Sequence, residues 1–107
     1  MYKVLFMYVV DMSKKGYWAG IELVYNDATI NHIATHNVTI GEVLHALNHS
    51  KKVVRHIKGD SYAIIGEFYG KCLVIFVTKE KGKTFILNTT RDCNIKEKRR
   101  YRAIVKR

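Results

Sequence analysis

Apolar positions along this chain recur first at strand spacing, then at helical spacing, and then at strand spacing again. Tyr2 to Val10 and Tyr17 to Val24 read as two strands, separated by a turn at Ser13–Gly16. Asn26 or Asp27 can cap a short helix over about 27–36, with Ile30, Ile33 and Ala34 on one face. Thr39-Ile40-Gly41-Glu42 is a capping box, followed at helical spacing by Val43, Leu44, Ala46 and Leu47, so a second helix is expected over 39–49. From Lys52 the period changes to two. Four short β runs, Val53–Ile57, Tyr62–Glu67, Cys72–Val77 and Phe85–Leu87, are divided by turns at Gly59-Asp60, Tyr69-Gly70-Lys71 and Lys81-Gly82-Lys83. That pattern predicts an antiparallel meander, with Leu73–Val77 apolar enough to be central.

The last quarter of the chain closes the pattern. The run Thr84–Leu87 breaks at Asn88, and Asn94 with Glu97 three residues on starts a helix. Ile95, Tyr101, Ile104 and Val105 can form its apolar stripe, leaving Lys96, Lys98, Arg99, Arg100, Arg102, Lys106 and Arg107 in water. Two helices, a meander and a basic terminal helix make a single α+β domain over 1–107 with one face of the sheet covered.

Charge sharpens this picture. Residues 1–50 carry three Lys against four acids, net −1, while residues 51–107 carry 16 Lys and Arg against five acids, net +11, giving the +10 of the whole chain. Such asymmetry favours a polyanionic partner, nucleic acid or an acidic protein. A soluble surface with surplus charge is the plainer alternative. The longest apolar run, Val4–Val10, is too short to span a membrane, for which about 20 residues are needed. Nor does the start of the chain read as a signal peptide. Two cysteines, Cys72 and Cys93, make no disulfide framework, so unpaired thiols and a reducing cytoplasm are expected.

Several residues carry candidate chemistry. Arg91, between a strand end and a helix start, is placed to clamp a phosphate, since a guanidinium engages two oxygens at once; an ion pair with Asp92 or Glu97 is the structural alternative. Glu97 can act as a general base or simply cap its helix. Tyr101 can stack on a base or relay a proton, or pack on the sheet. Lys98, Arg99, Arg100 and Arg102 can hold a nucleic-acid backbone or form a solvated helix face. His32/His36 and His45/His49 are i, i+4 pairs, but no third ligand accompanies either, so no metal and no cofactor are expected.

The segment Tyr25 to Val43 (YNDATINHIATHNVTIGEV) resembles the opening of BrnT-type toxins of the RelE/ParE superfamily, in which an aromatic–acid pair precedes a basic-His-Gly-Val and a capped helix. The end of the chain is similar as well: Arg91, then Glu97, then Tyr101, set in Lys and Arg. Tyr62, Gly66, Gly70 and Leu73 fit the middle. The likeness covers roughly 21–103, leaving 1–20 as an extra N-terminal strand region. Tyr25, Asn26, Thr35 and Asn37 stand where the family usually has Trp, Asp, a basic residue and Gly.

The resemblance implies a RelE-like domain, the toxin half of a type II toxin–antitoxin pair. It implies metal-independent RNA cleavage that inhibits translation, with Arg91, Glu97, Tyr101 and His36 as catalytic candidates. RNA and a small cognate DNA-binding antitoxin, such as one of ribbon-helix-helix type, are the implied partners. A catalytically silent nucleic-acid-binding or antitoxin-binding module on the same fold is the other reading, and a protein-interaction domain with an acidic partner is a third. In a nuclease the four catalytic candidates should converge on one cleft.

Overall fold

Period-two runs joined by two-residue turns favour pairing with their sequence neighbours as hairpins. In the computed structural model, which describes residues 2–7, 21–82 and 84–105, the strands β3 (Val53–Lys58), β4 (Ser61–Phe68), β5 (Lys71–Lys81) and β6 (Thr84–Asp92) form an antiparallel meander. Its three hairpin loops fall at the expected glycines. Gly59, Gly70 and Gly82 all have positive φ, 56°, 87° and 57°, a region glycine enters without steric cost.

Ahead of the meander come β1 (Tyr2–Met7), β2 (Ile21–Asn26), α1 (Asp27–Ala34) and α2 (Ile40–His49); after it comes α3 (Ile95–Val105). Both early helices start on capping boxes. Asn26 Oδ1 accepts from the Thr29 N–H at 2.9 Å, and Thr39 Oγ1 accepts from the Glu42 N–H at 3.2 Å. The first helix ends on the crossed bonds of a Schellman motif, Val38 N–H to Ile33 C=O and Asn37 N–H to Ala34 C=O. That ending puts Asn37 at φ 63°, and it buries Val38 beside Ile33.

Among the described residues the sheet has six strands in the order β1-β2-β6-β5-β4-β3, so β5 is interior as its apolar run requires. It is mixed rather than antiparallel throughout. β1 and β2 pair antiparallel with Tyr2 opposite Asn26, but β2 runs parallel to β6 with Leu23 opposite Phe85. The reason is topological: the two helices between β2 and β3 are a crossover that returns the chain to the far edge, and the meander then walks back to β2. The turn expected at Ser13–Gly16 and residues 17–20 of the second expected strand lie outside the described residues.

Both faces of the sheet are covered, not one. Along β4 and β5 side chains alternate between two cores. Ile64, Leu73, Ile75 and Val77 join Phe85, Leu87, Leu23, Tyr25 and the inner residues of α1 and α2: Ile33, Val43, Ala46 and Leu47. Ala63, Ile65, Cys72 and Val74 join Cys93, Tyr101 and Val105 under α3. The near-continuous burial of Cys72–Ile75 follows from this double covering.

Three further expectations need correction. Asn88 does not end its strand; it is the extra residue of a bulge between the Phe76–Thr89 and Val77–Leu87 pairs, and its amide donates to Thr78 Oγ1 at 2.6 Å. Pairing then continues to Asp92. Ile95 is 70% exposed rather than part of the α3 stripe, because six residues before Tyr101 is not a whole number of turns at 3.6 per turn. Cys72 and Cys93 are not free thiols but a disulfide with Cα atoms 5.4 Å apart. The Cys93 N–H donates to the Cys72 carbonyl, and that contact between the start of β5 and the end of β6 brings the two sulfurs together. The argument from free thiols to a reducing compartment thereby loses its premise. Among the described residues, no helix is long and apolar enough to cross a membrane.

Candidate nucleic-acid interface

The joint between β6 and α3 is built from three side chains. Asn94 Oδ1 accepts from the Glu97 N–H at 2.8 Å while a Glu97 oxygen accepts from the Asn94 N–H at 2.8 Å, the reciprocal capping box read from the sequence. Arg91, on the penultimate residue of β6, lays its guanidinium across the same carboxylate. Nη1 and Nη2 donate to Oε1 and Oε2 at 2.8 and 2.9 Å, and Nη1 also reaches the Asp92 carbonyl. The guanidinium carbon lies 5.5 Å from the centre of the Phe76 ring.

This geometry sets the protonation of the pair. The Arg91 hydrogen bonds, with the Asn94 N–H, hold the Glu97 carboxyl below its ordinary range against the opposing effect of burial. The Glu97 hydrogen bond in turn raises the Arg91 guanidinium. A carboxylate so stabilised is a weaker proton acceptor. Arg91 has most of its donors occupied.

Tyr101 stands one turn further along α3 and is only 3% exposed. Its hydroxyl donates to the Lys51 carbonyl at 2.7 Å, tying α3 to the link between α2 and β3. Burial raises the phenol, the Glu67 charge adds to that, and a Ser50 hydrogen bond opposes it, so the proton stays on oxygen. Tyr101 borders a cleft of about 510 Å³ with His45, His49, Lys51, Glu67 and Tyr69. Glu97 lines a different groove, of about 600 Å³, between β3 and α3; its floor is Val53, Ile65 and Ile104, and its cations are Arg55, Lys96 and Arg100.

Lys98, Arg99, Arg100 and Arg102 are all exposed, as is Lys96; Lys96 and Arg100 line the groove that holds Glu97, whereas Lys98 lies by Lys71 and Asp92. His36 is exposed beyond the end of α1, on the opposite face of the sheet from α3, with its ring 5.3 Å from that of His32. The structure therefore brings Arg91 and Glu97 into direct contact, puts Tyr101 on the neighbouring cleft, and keeps His36 apart. The His45–His49 rings are 4.9 Å apart on α2.

Two residues escaped the sequence reading. Lys52 is 1% exposed, and its ammonium donates to the Ser50 carbonyl. Tyr69 is 83% exposed at φ 45° in the β4–β5 hairpin. A tyrosine directly before a turn glycine was the available signal for the second; nothing in the sequence marks the first.

Comparison with known proteins finds no matching family model, no matching curated protein and no matching solved structure.

Proposed function

We propose that this chain is an RNA-directed module of the RelE-like kind, which binds single-stranded RNA through the basic surface of α3. Its role is that of the toxin in a pair with a small antitoxin. The observation that carries the reading is the row of exposed cations, Lys96, Lys98, Arg99, Arg100 and Arg102, on a helix pinned to the sheet at its N-terminal end by Arg91–Glu97 and further along by Tyr101. Pinning fixes the backbone that carries these cations, so their side chains alone need to order when RNA binds. Two early helices on a meander followed by a basic helix is also the arrangement the BrnT resemblance implies, and Asn37 takes up left-handed backbone at the position where that family has glycine. The small antitoxin implied by the resemblance would compete for the same surface.

Binding without cleavage is the form of the reading that the geometry favours. Arg91 and Glu97 neutralise each other, the Tyr101 hydroxyl is committed to a carbonyl, and His36 is on the other face. Metal-independent cleavage by 2′-OH attack would need Arg91 to leave Glu97 for a phosphate. The test is to incubate purified protein with end-labelled single-stranded RNA in EDTA, and to measure binding and cutting in parallel. Retention of intact RNA is expected. Products ending in 2′,3′-cyclic phosphate that fall about 10²–10³-fold in rate with Arg91→Ala would establish the ribonuclease instead. Absence of both binding and cutting at low salt would reject an RNA role.

A further inference from the structure

A two-residue hairpin loop with both φ angles positive normally takes Asn-Gly or Asp-Gly, because those residues tolerate left-handed backbone. Here Phe68 and Lys71 close the β4–β5 hairpin, and the loop between them is Tyr69-Gly70, at φ 45° and 87°. A bulky side chain in that region is strained, and this one gains little burial in return, since Tyr69 is 83% exposed. Neither the turn nor the core explains a tyrosine at this position.

What the ring does is stack. Its centre lies 4.8 Å from that of His45, with the planes 29° apart. Phe68 supports the pair edge-on, 5.0 Å from His45 and 4.9 Å from Tyr69, and His49 adds a further ring 4.9 Å from His45. The result is an aromatic platform with its inner face buttressed by α2 and its outer face open to water. Beside it is the cleft of about 510 Å³, a size ordinary for a small-ligand site, with Lys51 and Glu67 among the residues that line it.

Resting on the RNA-binding reading, we propose that this cleft is a site for an unpaired base of single-stranded RNA. The base stacks on the outer face of Tyr69, with Lys51 towards its phosphate. Base–aromatic stacking is the common device for holding unpaired nucleotides, and it needs an exposed, rigid ring next to positive charge. Tyr69 fits because the hairpin fixes its backbone and His45 fixes its plane. α3 borders the cleft through Tyr101 and Val105, and at i, i+3 and i+4 spacing the exposed Lys98 and Arg102 flank those two residues on the helix, so one strand that stacks on Tyr69 can also reach these cations.

The experiment uses fluorescence anisotropy with an eight-residue adenosine oligoribonucleotide and an abasic ribose-phosphate chain of the same length. Tyr69→Asn is the informative variant, because Asn-Gly suits the hairpin and should preserve or raise thermal stability. It is expected to weaken oligoadenosine binding about 5- to 150-fold while leaving abasic-chain binding unchanged. Tyr69→Trp should retain the affinity and add indole fluorescence that oligoadenosine quenches and the abasic chain does not. If Tyr69→Asn binds oligoadenosine as tightly as the parent, while Ala at Arg99, Arg100 and Arg102 weakens it, the stacking site is overturned and the RNA reading stands. If the parent binds neither chain at low salt, the RNA reading has failed and the stacking site falls with it.

Discussion

Lys52 shows how much one buried side chain can impose on this small domain. A lysine at 1% exposure loses its hydration, and a single carbonyl from Ser50 does not replace it, so burial lowers its ammonium to about 8 from 10.5. Between those two values the unfolded chain binds the proton and the folded one does not. Stability must then rise with pH across that interval, and below about pH 8 the charged, buried ammonium costs roughly 3 kcal/mol. The tyrosines limit the window from above: burial raises Tyr25 and Tyr101, so their contribution is lost as pH rises past the ordinary phenol value. The expected outcome is a urea midpoint that climbs from pH 7.5 to 9.5. Lys52→Met should remove the climb and raise stability at pH 7 by about 1–3 kcal/mol. Equal pH profiles for the two proteins would mean that the ammonium reaches water. In the sequence, Lys52 marks only a change of period. Its burial comes from the end of α2 meeting the start of β3, a tertiary event that no local pattern encodes.

At the scale of elements, α3 is the informative case. Its start is fixed three times over: by the Asn94–Glu97 box, by Arg91, and by the disulfide from Cys93 to Cys72 one residue before the cap. The cross-link joins positions separated by 21 residues in sequence, and a loop of that size is worth about 3 kcal/mol through the unfolded state. Cys93→Ser, or reduction of the parent, should lower the melting temperature by roughly 10–20 °C. Helix content at 20 °C should be unchanged, because Arg91–Glu97 and the Tyr101 hydroxyl still hold α3. Loss of circular dichroism at 20 °C would make the disulfide the sole anchor. Glycine turns, the boxes at Thr39 and Asn94, and a cap at Asn26 or Asp27 were legible because each is a contact within four residues. The bulge at Asn88 was not, since it depends on which β5 residues stand opposite. The parallel β2–β6 pair was hidden for the same reason, and the disulfide more so. Of the candidate site, the Arg91–Glu97 spacing was legible; the separation of His36 from it depends on which sheet face each helix covers.

For the molecule as a whole, the question is whether RNA would respond to its net charge or to where that charge sits. The domain measures 40 × 31 × 25 Å, several times the roughly 10 Å over which charges sense one another at 0.1 M salt. A phosphate at α3 is therefore screened from most of the +10, and what it meets is the local set of Lys96, Lys98, Arg99, Arg100 and Arg102 with Arg55 across the groove. Counterion release counts those contacts, at about 0.7 in the slope of log K against log salt per neutralised phosphate of a single strand. Ala at Arg99, Arg100 and Arg102 together should flatten the slope by about 2 if each holds one phosphate. Ala at Lys58 and Lys81, exposed at the end of the sheet opposite the Cys72–Cys93 junction where α3 starts, also lowers the net charge, by two, and should leave the slope as it was. All three arginines are exposed and none is a member of either core, so the triple variant should melt within a few degrees of the parent. A filter-binding series from 50 to 300 mM potassium chloride separates the cases: a slope that follows total charge equally in both variants would mean diffuse attraction without a defined face. A slope that changes only with the arginines would place the phosphates on α3.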